Sequence, residues 1–350
     1  MTAFLTDPSI PPPIFFTKPR ILHLQAEIER LRLTNGGTYT NYDITGVVEE
    51  QNAQFFDYKD SNSLSIYYHP YARMPKRELR QKAESMKESG KYTFFPLDIC
   101  SRGLPKHDCL DSGKRPKETE DQFQAWEHEW QNGDPKKRIE DFVSANLDRM
   151  PRVDRIVCFA LGPLTNDRLA TSGCCYFQHL AACTIRDVIQ SHRGHNKSNQ
   201  NHPRSEKIPV FAQDPIYCAH CIATLKTRLD IDVVDDPAGF LLVDEHTFVL
   251  TIAANVAVRQ IVVDVAWEEG GPAAMLCDDV EAVPLYLEKN WRLTEPWSPR
   301  LSEFVERCVG LGLGDEDEGD EGAEDRWDGA FERTSVYLRV GDGGEGGEGG

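Results

Sequence analysis

Short apolar segments alternate with polar, helix-like segments along residues 208–278, and this alternation limits the folds that the chain can adopt. Four apolar runs are each followed by turn-forming or polar residues and then by a segment of helical character. The runs are Ile208–Ala212, Ile231–Val234, Thr247–Ile252 and Ala273–Cys277. Strands that alternate with helices in this way predict βαβ units and a parallel sheet.

Polar residues follow these runs at the points where the predicted strands end. Asp214, Asp235 and Asp278 follow three of them, and the fourth leads through two alanines to Asn255. In open parallel sheets, ligands bind outside the carboxyl ends of the strands. The acids and the asparagine therefore fall where a site is expected to form.

A further apolar run precedes these four and completes the predicted sheet. Residues Arg155–Gly162 have the character of a strand buried on both faces, as a central parallel strand requires. Gly162 begins a turn, and a long helix is predicted from about Asp167 to Gln190. The sequence thus predicts an α/β fold: a three-layer sandwich with a mostly parallel, Rossmann-like sheet of about five strands.

Composition predicts four regions along the chain. They are a proline-rich lead-in at 1–19, an accessory region at 20–144 with helical and irregular additions, the α/β domain at 145–312, and a disordered acidic tail at 313–350. The tail is predicted because 13 acidic and 3 basic side chains lie in residues 315–350, with glycine-rich sequence at the end. Such composition buries too little apolar surface to offset the entropy of ordering. A final helix closed by Gly310 precedes the tail, and Val336–Leu338 is a candidate docking segment within it.

Charge and cysteine usage exclude several classes of protein. The net charge is −18, most of it in the tail, so we expect no general nucleic-acid binding, which needs a basic surface. No run approaches the ~20 apolar residues of a membrane span. The ten cysteines include several inside apolar patterns, which predicts reduced thiols in a cytoplasmic and/or nuclear protein.

Two interpretations apply to each candidate ligand-binding residue. Gly162 could let a phosphate approach the following helix, yet the chain has neither G-x-G-x-x-G nor a P-loop lysine, so a simple turn is the favoured interpretation. Asp214, Asp235 and Asp236 could gather into a carboxylate cluster for acid–base work or a hard metal. Aspartates before proline also begin turns and cap helices. Asn255 and Arg259 could bind an anion from one helical turn, or could be an N-cap and an ion pair.

Cys218 and Cys221 have the C-x-x-C spacing of redox and zinc motifs. The chain has no second C-x-x-C that would complete a four-ligand zinc site. We therefore predict no metal site and assign no cofactor, and these two cysteines stay the candidates for either chemistry. A loop containing His192, His195 and His202 is interpreted as a solvated insert.

Several segments together resemble the SRR-like (sensitivity to red light reduced-like) domain family in its fungal form. They cover roughly residues 145–290 and are Ile156–Gly162, Gln178–Ala181, Val210–Pro215, Val233–Phe240, Thr247–Asn255 and Val258–Ile261. Two features depart from the expected pattern: Ala254 stands where a proline often precedes the asparagine, and Cys218–Cys221 replaces a more acidic helix start. The first departure concerns the turn that presents Asn255.

The resemblance implies a regulatory or interaction protein. Plant members of the family are linked to phytochrome signalling and circadian regulation, and other eukaryotic members to microtubule-related phenotypes and haem metabolism; no reaction is assigned to the domain. We expect unidentified protein partners, with a small ligand sensed at the strand ends. The alternative is an enzyme, or a nucleotide- or small-molecule-binding protein, that uses the carboxylates and the asparagine at the same strand ends.

Overall fold

The structure is a computed structural model, and it describes ten stretches of the chain. These are residues 14–34, 36–43, 47–52, 64–68, 96–101, 116–164, 173–195, 207–280, 298–314 and 328–340. Within them, no helix combines the length and the apolar character that a bilayer span requires.

The N-terminal elements are one helix and two antiparallel strand pairs. They are α1 (Lys18–Thr34), β1 (Thr38–Tyr42), β2 (Val48–Asn52), β3 (Leu64–Tyr68) and β4 (Leu97–Ser101). Helix α1 forms because Ile21, Leu24, Ile28 and Leu31 recur at helical spacing and bury one stripe.

Helices and strands then alternate through the rest of the chain. They are α2 (Pro116–Asn132), α3 (Asp134–Asn146), β5 (Arg155–Phe159), α4 (Cys174–His195), β6 (Val210–Gln213), α5 (Ala219–Thr224), β7 (Ile231–Val233), α6 (Ala238–Leu242), β8 (Thr247–Thr251), α7 (Val258–Val265), β9 (Ala274–Asp278), α8 (Pro299–Glu306), β10 (Cys308–Gly312), α9 (Asp328–Phe331) and β11 (Thr334–Arg339). A π-helical turn, Leu225–Leu229, continues α5.

A single seven-stranded sheet organises these elements, in the order β10-β11-β9-β8-β5-β6-β7. Strands β5 to β9 are parallel, whereas β11 pairs antiparallel with β9 and β10 antiparallel with β11. The chain leaves β5 outward through β6 and β7 and then returns to the other side of β5 as β8. This reversal is the topological switch of a Rossmann-like sheet.

Alternating side chains divide the core between the two faces of the sheet. In β5, Ile156 and Cys158 join one apolar cluster, while Val157 and Phe159 join the other. The first cluster includes residues of α2, α3 and α4, and the second includes residues of α1, α7 and α8. Because successive side chains of a strand point to opposite faces, a strand this apolar must be covered on both. The predicted three-layer α/β sandwich is confirmed.

Two strands of the sheet were not expected. The predicted final helix ends at Glu306, and Cys308–Gly312, including the expected terminator Gly310, forms β10. Residues Thr334–Arg339, inside the predicted acidic tail, form β11, where Val336 and Leu338 are fully buried. Pairing with β9 satisfies the backbone of this segment, so it is ordered despite its acidic surroundings.

Other predicted elements differ in their limits or lie outside the described residues. The described part of the predicted helix Asp167–Gln190 is α4, which follows Gly173 (φ +68°) and continues beyond Gln190 to His195. Residues 1–13, 165–172, 196–206, 315–327 and 341–350 are not among the described ones, and they include most of the proline-rich lead-in, much of the histidine-containing loop and the acidic stretch.

The buried carboxylate of Asp264 connects the segment before α1 to helices α7 and α8. Asp264 in α7 accepts hydrogen bonds from the backbone N–H groups of Phe15 (3.0 Å) and Phe16 (3.3 Å). Its other oxygen lies 2.6 Å from Nε of Arg300 in α8, and both side chains are buried. Burial raises the pKa of Asp264, which the charge of Arg300 opposes. These contacts position α1, which begins two residues after Phe16, at Lys18.

Candidate functional site

A cleft of about 490 Å³ lies at the carboxyl ends of β6 and β7. Its floor consists of the loops that follow these strands, and its wall consists of α1 and β3. The lining residues are Gln25, Ile28, Glu29, Arg32, Leu64, Ser65, Ile66, Asp214, Pro215, Tyr217, Ile222, Val233, Val234, Asp235, Asp236 and Pro237. Parts of the chain about 150 residues apart in sequence therefore share one cavity, at the edge of the sheet where ligands bind in this class of fold.

Asp214 and Gly162, two of the predicted ligand-binding residues, are in direct contact. The Gly162 N–H donates to one carboxylate oxygen of Asp214 at 2.9 Å, and the Ile216 N–H donates to the other at 3.0 Å. Burial raises the pKa of Asp214, although both hydrogen bonds favour its ionised form. Asp214 thus joins the loops after β5 and β6 and also presents a half-buried carboxyl to the cleft.

The glycine at position 162 is required by packing. Its φ is +80°, and a Cβ there would lie 2.7 Å from Sγ of Cys175 at the start of α4. Gly162 is also not among the residues that line the cleft. The close approach of the turn to α4 accounts for this glycine without a bound phosphate.

A hydrogen-bonded pair, His179 and Tyr217, lies next to Asp214, and no pattern in the sequence predicts it. His179 Nδ1 donates to the carbonyl of Cys175 at 2.6 Å, which leaves Nε2 to accept from the hydroxyl of Tyr217 at 2.7 Å. Burial lowers the pKa of His179 to about 4 and raises that of Tyr217. At neutral pH the imidazole is uncharged and supports the tyrosine that lines the cleft. The sequence signal that could have indicated this pair is a histidine within the apolar part of a predicted helix.

Asp235 and Asp236 both line the cleft but differ in their contacts. Asp236 accepts from the hydroxyl of Tyr68 at 2.9 Å and from the side-chain amide of Gln213 at 3.1 Å. The Gln213 amide oxygen accepts in turn from the N–H of Gly239 at 2.7 Å. Asp235 is exposed and uses its backbone carbonyl to receive the Ala238 N–H. Asp236 therefore links β3 to the end of β6 and to the loop after β7, whereas the carboxylate of Asp235 stays exposed at the mouth of the cleft.

The two aspartates do not cap the helix that follows them. The N-cap position of α6 is Pro237, and no side chain caps it. The alternative interpretation of Asp235 as a helix cap is therefore wrong.

Negative charge dominates the lining of the cleft. Four carboxyl groups, those of Glu29, Asp214, Asp235 and Asp236, face one guanidinium, that of Arg32. Arg32 donates through Nη2 to the carbonyl of Leu64 at 3.0 Å, so part of its donor capacity is used within the wall. This charge balance attracts cations and repels phosphates.

Asn255 and Arg259 lie elsewhere along the strand ends. Neither is among the described residues that line the cleft. Asn255 is exposed and precedes α7, whose N-cap position is Ala257 without a side-chain cap, so the interpretation of Asn255 as the N-cap is wrong. Arg259 is buried and donates through Nη1 to the carbonyls of Asp278 (2.8 Å) and Asp279 (3.3 Å). Its role here is to hold the end of β9.

Cys218 and Cys221 lie at the start of α5, directly after the cleft residue Tyr217. Cys218 is the N-cap residue, and the Cys221 N–H donates to its Sγ at 3.4 Å. In the described part of the chain, no group of three or more histidine, cysteine or acidic side chains is placed to hold a metal ion. None of the cysteines described there forms a disulfide.

The comparison with protein families identifies the domain. The model of the SRR1 domain matches residues 136–338, more than half of the chain. The chain belongs to the SRR1 domain family. No curated protein and no solved structure matches it.

The limits of the SRR1 domain agree with the sheet. The matched region begins within α3 and ends within β11, so the family model includes the two antiparallel strands as well as the parallel ones. Helix α1 and strand β3 lie before it. The cleft is therefore lined on one side by the SRR1 domain and on the other by residues outside it.

Proposed function

We propose that this SRR1-domain protein is a regulatory protein that binds a small, amine-bearing ligand in the cleft at the ends of β6 and β7. The observation that carries the proposal is the composition of the cleft: the strand ends of the SRR1 domain supply one side and α1 and β3 supply the other. A ligand seated there contacts both at once. Its binding free energy then favours the arrangement in which the two are joined.

The chemistry of the ligand follows from the charges of the lining. Four carboxyl groups against one guanidinium favour ammonium or guanidinium groups and disfavour nucleotides and other phosphates. Asp235 and Glu29 are exposed and stand on opposite sides of the cleft. Both keep their carboxylates available for charge-assisted hydrogen bonds to a cation.

The contact between wall and floor provides a route to regulation. Tyr68 in β3 donates to Asp236, and its ring lies 5.1 Å from that of Phe240 in α6, measured between centroids. This small contact is the element that a bound ligand would reinforce. We propose that protein partners bind the surface that the ligand reinforces. We place these partners in the cytoplasm or nucleus, where the reduced cysteines of the chain are stable.

An enzyme is the second candidate, and Asp214 is the observation that favours it. Its carboxyl lines the cleft and has a pKa raised by burial, which is a property of acid–base catalysts. Its two hydrogen bonds to backbone N–H groups also explain the residue structurally. The enzyme would be supported if the wild type converts a bound amine to a product while Asp214→Asn binds the amine without converting it.

Thermal unfolding of the full chain with three probes tests the proposal. Spermidine represents amines, adenosine monophosphate represents phosphates, and magnesium chloride represents hard cations. We expect spermidine to raise the Tm of the wild type and of Glu306→Gln, which removes an exposed acid away from the cleft, and to raise it less in Asp235→Asn. A shift produced by the nucleotide alone, or an equal spermidine shift in Asp235→Asn, would contradict the proposed ligand class.

A further inference from the structure

The two thiols of the Cys-Ala-His-Cys segment are close enough to react with one another. Cys218 Sγ lies 3.6 Å from Cys221 Sγ. A disulfide needs a separation of ~2.05 Å, so the sulfurs must approach by about 1.5 Å, which side-chain rotation in one helical turn can supply. The segment is thus arranged for an intramolecular disulfide without refolding of the elements around it.

The thiols differ in accessibility, which assigns them different roles. Cys218 is half-buried at the surface of the domain, whereas Cys221 is fully buried in the core cluster shared by α4 and β6. The Cys221 N–H donates to Cys218 Sγ at 3.4 Å, a contact that a thiolate accepts better than a thiol does. A dissolved reagent therefore reaches Cys218 first, and Cys221 reacts second from within.

His220, between the two cysteines, supplies a second observation. Its Nε2 is buried and has no hydrogen-bond partner in the part of the chain that the structure describes. His220 lies in the first turn of α5, between the two thiols, so this segment contains a polar group that the described fold does not use.

We propose that Cys218 and Cys221 form a redox-active dithiol that exchanges with small-molecule disulfides. The Cys218 thiolate attacks one sulfur of the disulfide R–S–S–R, so that a mixed disulfide forms and R–S⁻ leaves and takes up the proton that Cys218 lost. Cys221 then loses its proton and attacks Cys218 Sγ, and the second R–S⁻ leaves with that proton. The two cysteines are oxidised to one disulfide by two electrons, and R–S–S–R is reduced to two thiols.

Peptide mass spectrometry can follow this reaction because of where trypsin cleaves. Cleavage after Lys207 and Lys226 releases residues Ile208–Lys226, in which Cys218 and Cys221 are the only cysteines. The folded full chain is treated with excess oxidised glutathione, and the remaining thiols are alkylated before digestion. We expect the wild-type peptide to be two hydrogens lighter than its reduced form and to carry no alkyl group.

Three single-residue variants separate this proposal from ordinary thiol oxidation. Cys221→Ser should accumulate a glutathione adduct at Cys218, and Cys218→Ser should leave Cys221 unmodified while the protein stays folded by circular dichroism. Cys308→Ser, which removes a half-buried thiol elsewhere, should leave the wild-type result unchanged. Two alkylated thiols in the folded wild type, or an adduct at Cys221 of folded Cys218→Ser, would overturn the proposal.

Discussion

The two halves of the carboxyl edge of the sheet use similar residues in different ways. At β6 and β7, aspartates after the strands line an open cleft. At β8 and β9, the corresponding groups are engaged: Asp278 accepts from the Ala253 N–H at 2.9 Å, and Asp279 accepts from the hydroxyl of Ser335 at 2.6 Å. Arg259 holds the carbonyls of both. We call these the open half and the closed half.

What covers the strand ends explains the difference. In the closed half, β11 runs antiparallel beside β9 and brings Ser335 to the acids, while α7 brings Arg259. In the open half, α1 and β3 approach from outside the SRR1 domain and leave a cavity between themselves and the loops. An aspartate after a parallel strand therefore does not by itself indicate a site. In the closed half both acids are held within the fold, whereas in the open half the carboxylate of Asp235 stays available to a ligand.

Removing Asp264, which holds the segment before α1 in place, should have the largest effect on stability. In Asp264→Ala, Arg300 keeps a buried charge without its carboxylate, and the N–H groups of Phe15 and Phe16 lose their acceptor. We expect a loss of about 3–5 kcal/mol in the free energy of unfolding, the usual cost of breaking a buried ion pair. Chemical denaturation measures it, with Glu306→Gln as the control. A loss below about 1 kcal/mol would show that the wall does not depend on this ion pair.

Acidification should weaken the floor of the open half through His179. Burial lowers its pKa from 6.5 to about 4, so between these pH values the unfolded chain binds a proton that the folded chain does not. Stability therefore falls as pH falls through this window, by roughly 3 kcal/mol for the full shift.

The variant His179→Gln should remove this part of the pH dependence. Denaturation at pH 7 and pH 4.5 compares the variant with the wild type and with His128→Gln, which changes an exposed histidine. We expect the wild type and His128→Gln to lose more stability on acidification than His179→Gln does. Equal losses in all three proteins would contradict the assignment of His179 as a buried neutral base.

A substitution in the closed half should cause a smaller loss of stability. Arg259→Met keeps an unbranched apolar stem but removes the donor to the carbonyls of Asp278 and Asp279. Leaving an acceptor without a donor costs about 1–3 kcal/mol when it is fully buried, and these part-buried carbonyls should fall at the lower end. Denaturation measures this loss, and calorimetry should show that spermidine binding is unchanged, since Arg259 does not line the cleft. Weaker spermidine binding by a folded Arg259→Met would show that Arg259 contributes to the site and that the two halves act as one site.

The sequence predicted the parallel part of the fold because its signals are local. Five apolar runs matched β5 to β9, and the residues that follow them lie at the carboxyl edge as expected. Strands β10 and β11 were missed because Gly310 resembles a helix terminator, and because β11 is a six-residue strand separated from β10 by the acidic stretch. Pairing with β9 and β10, which are distant in sequence or beyond the acidic stretch, distinguishes such a segment from a tail.

The site was predicted in part for a related reason. Asp214 and Asp235 follow directly from strand ends, and both line the cleft. The wall comes from residues 25–66, and no spacing rule joins these to residues beyond 210. The separation of Asn255 and Arg259 from the cleft is likewise a tertiary effect, since it depends on where β9 ends and what packs there.

Titration calorimetry with spermidine tests the central claim, that the open half is a cation site, most directly. The wild type, Asp235→Asn, Glu29→Gln, the double variant and Glu306→Gln would be compared at low salt, all of them folded. We predict saturable binding by the wild type and by Glu306→Gln, a Kd raised about fivefold by each cleft substitution, and a larger rise in the double variant. Binding that is absent from the wild type, or that is equal in all five proteins, would contradict the account.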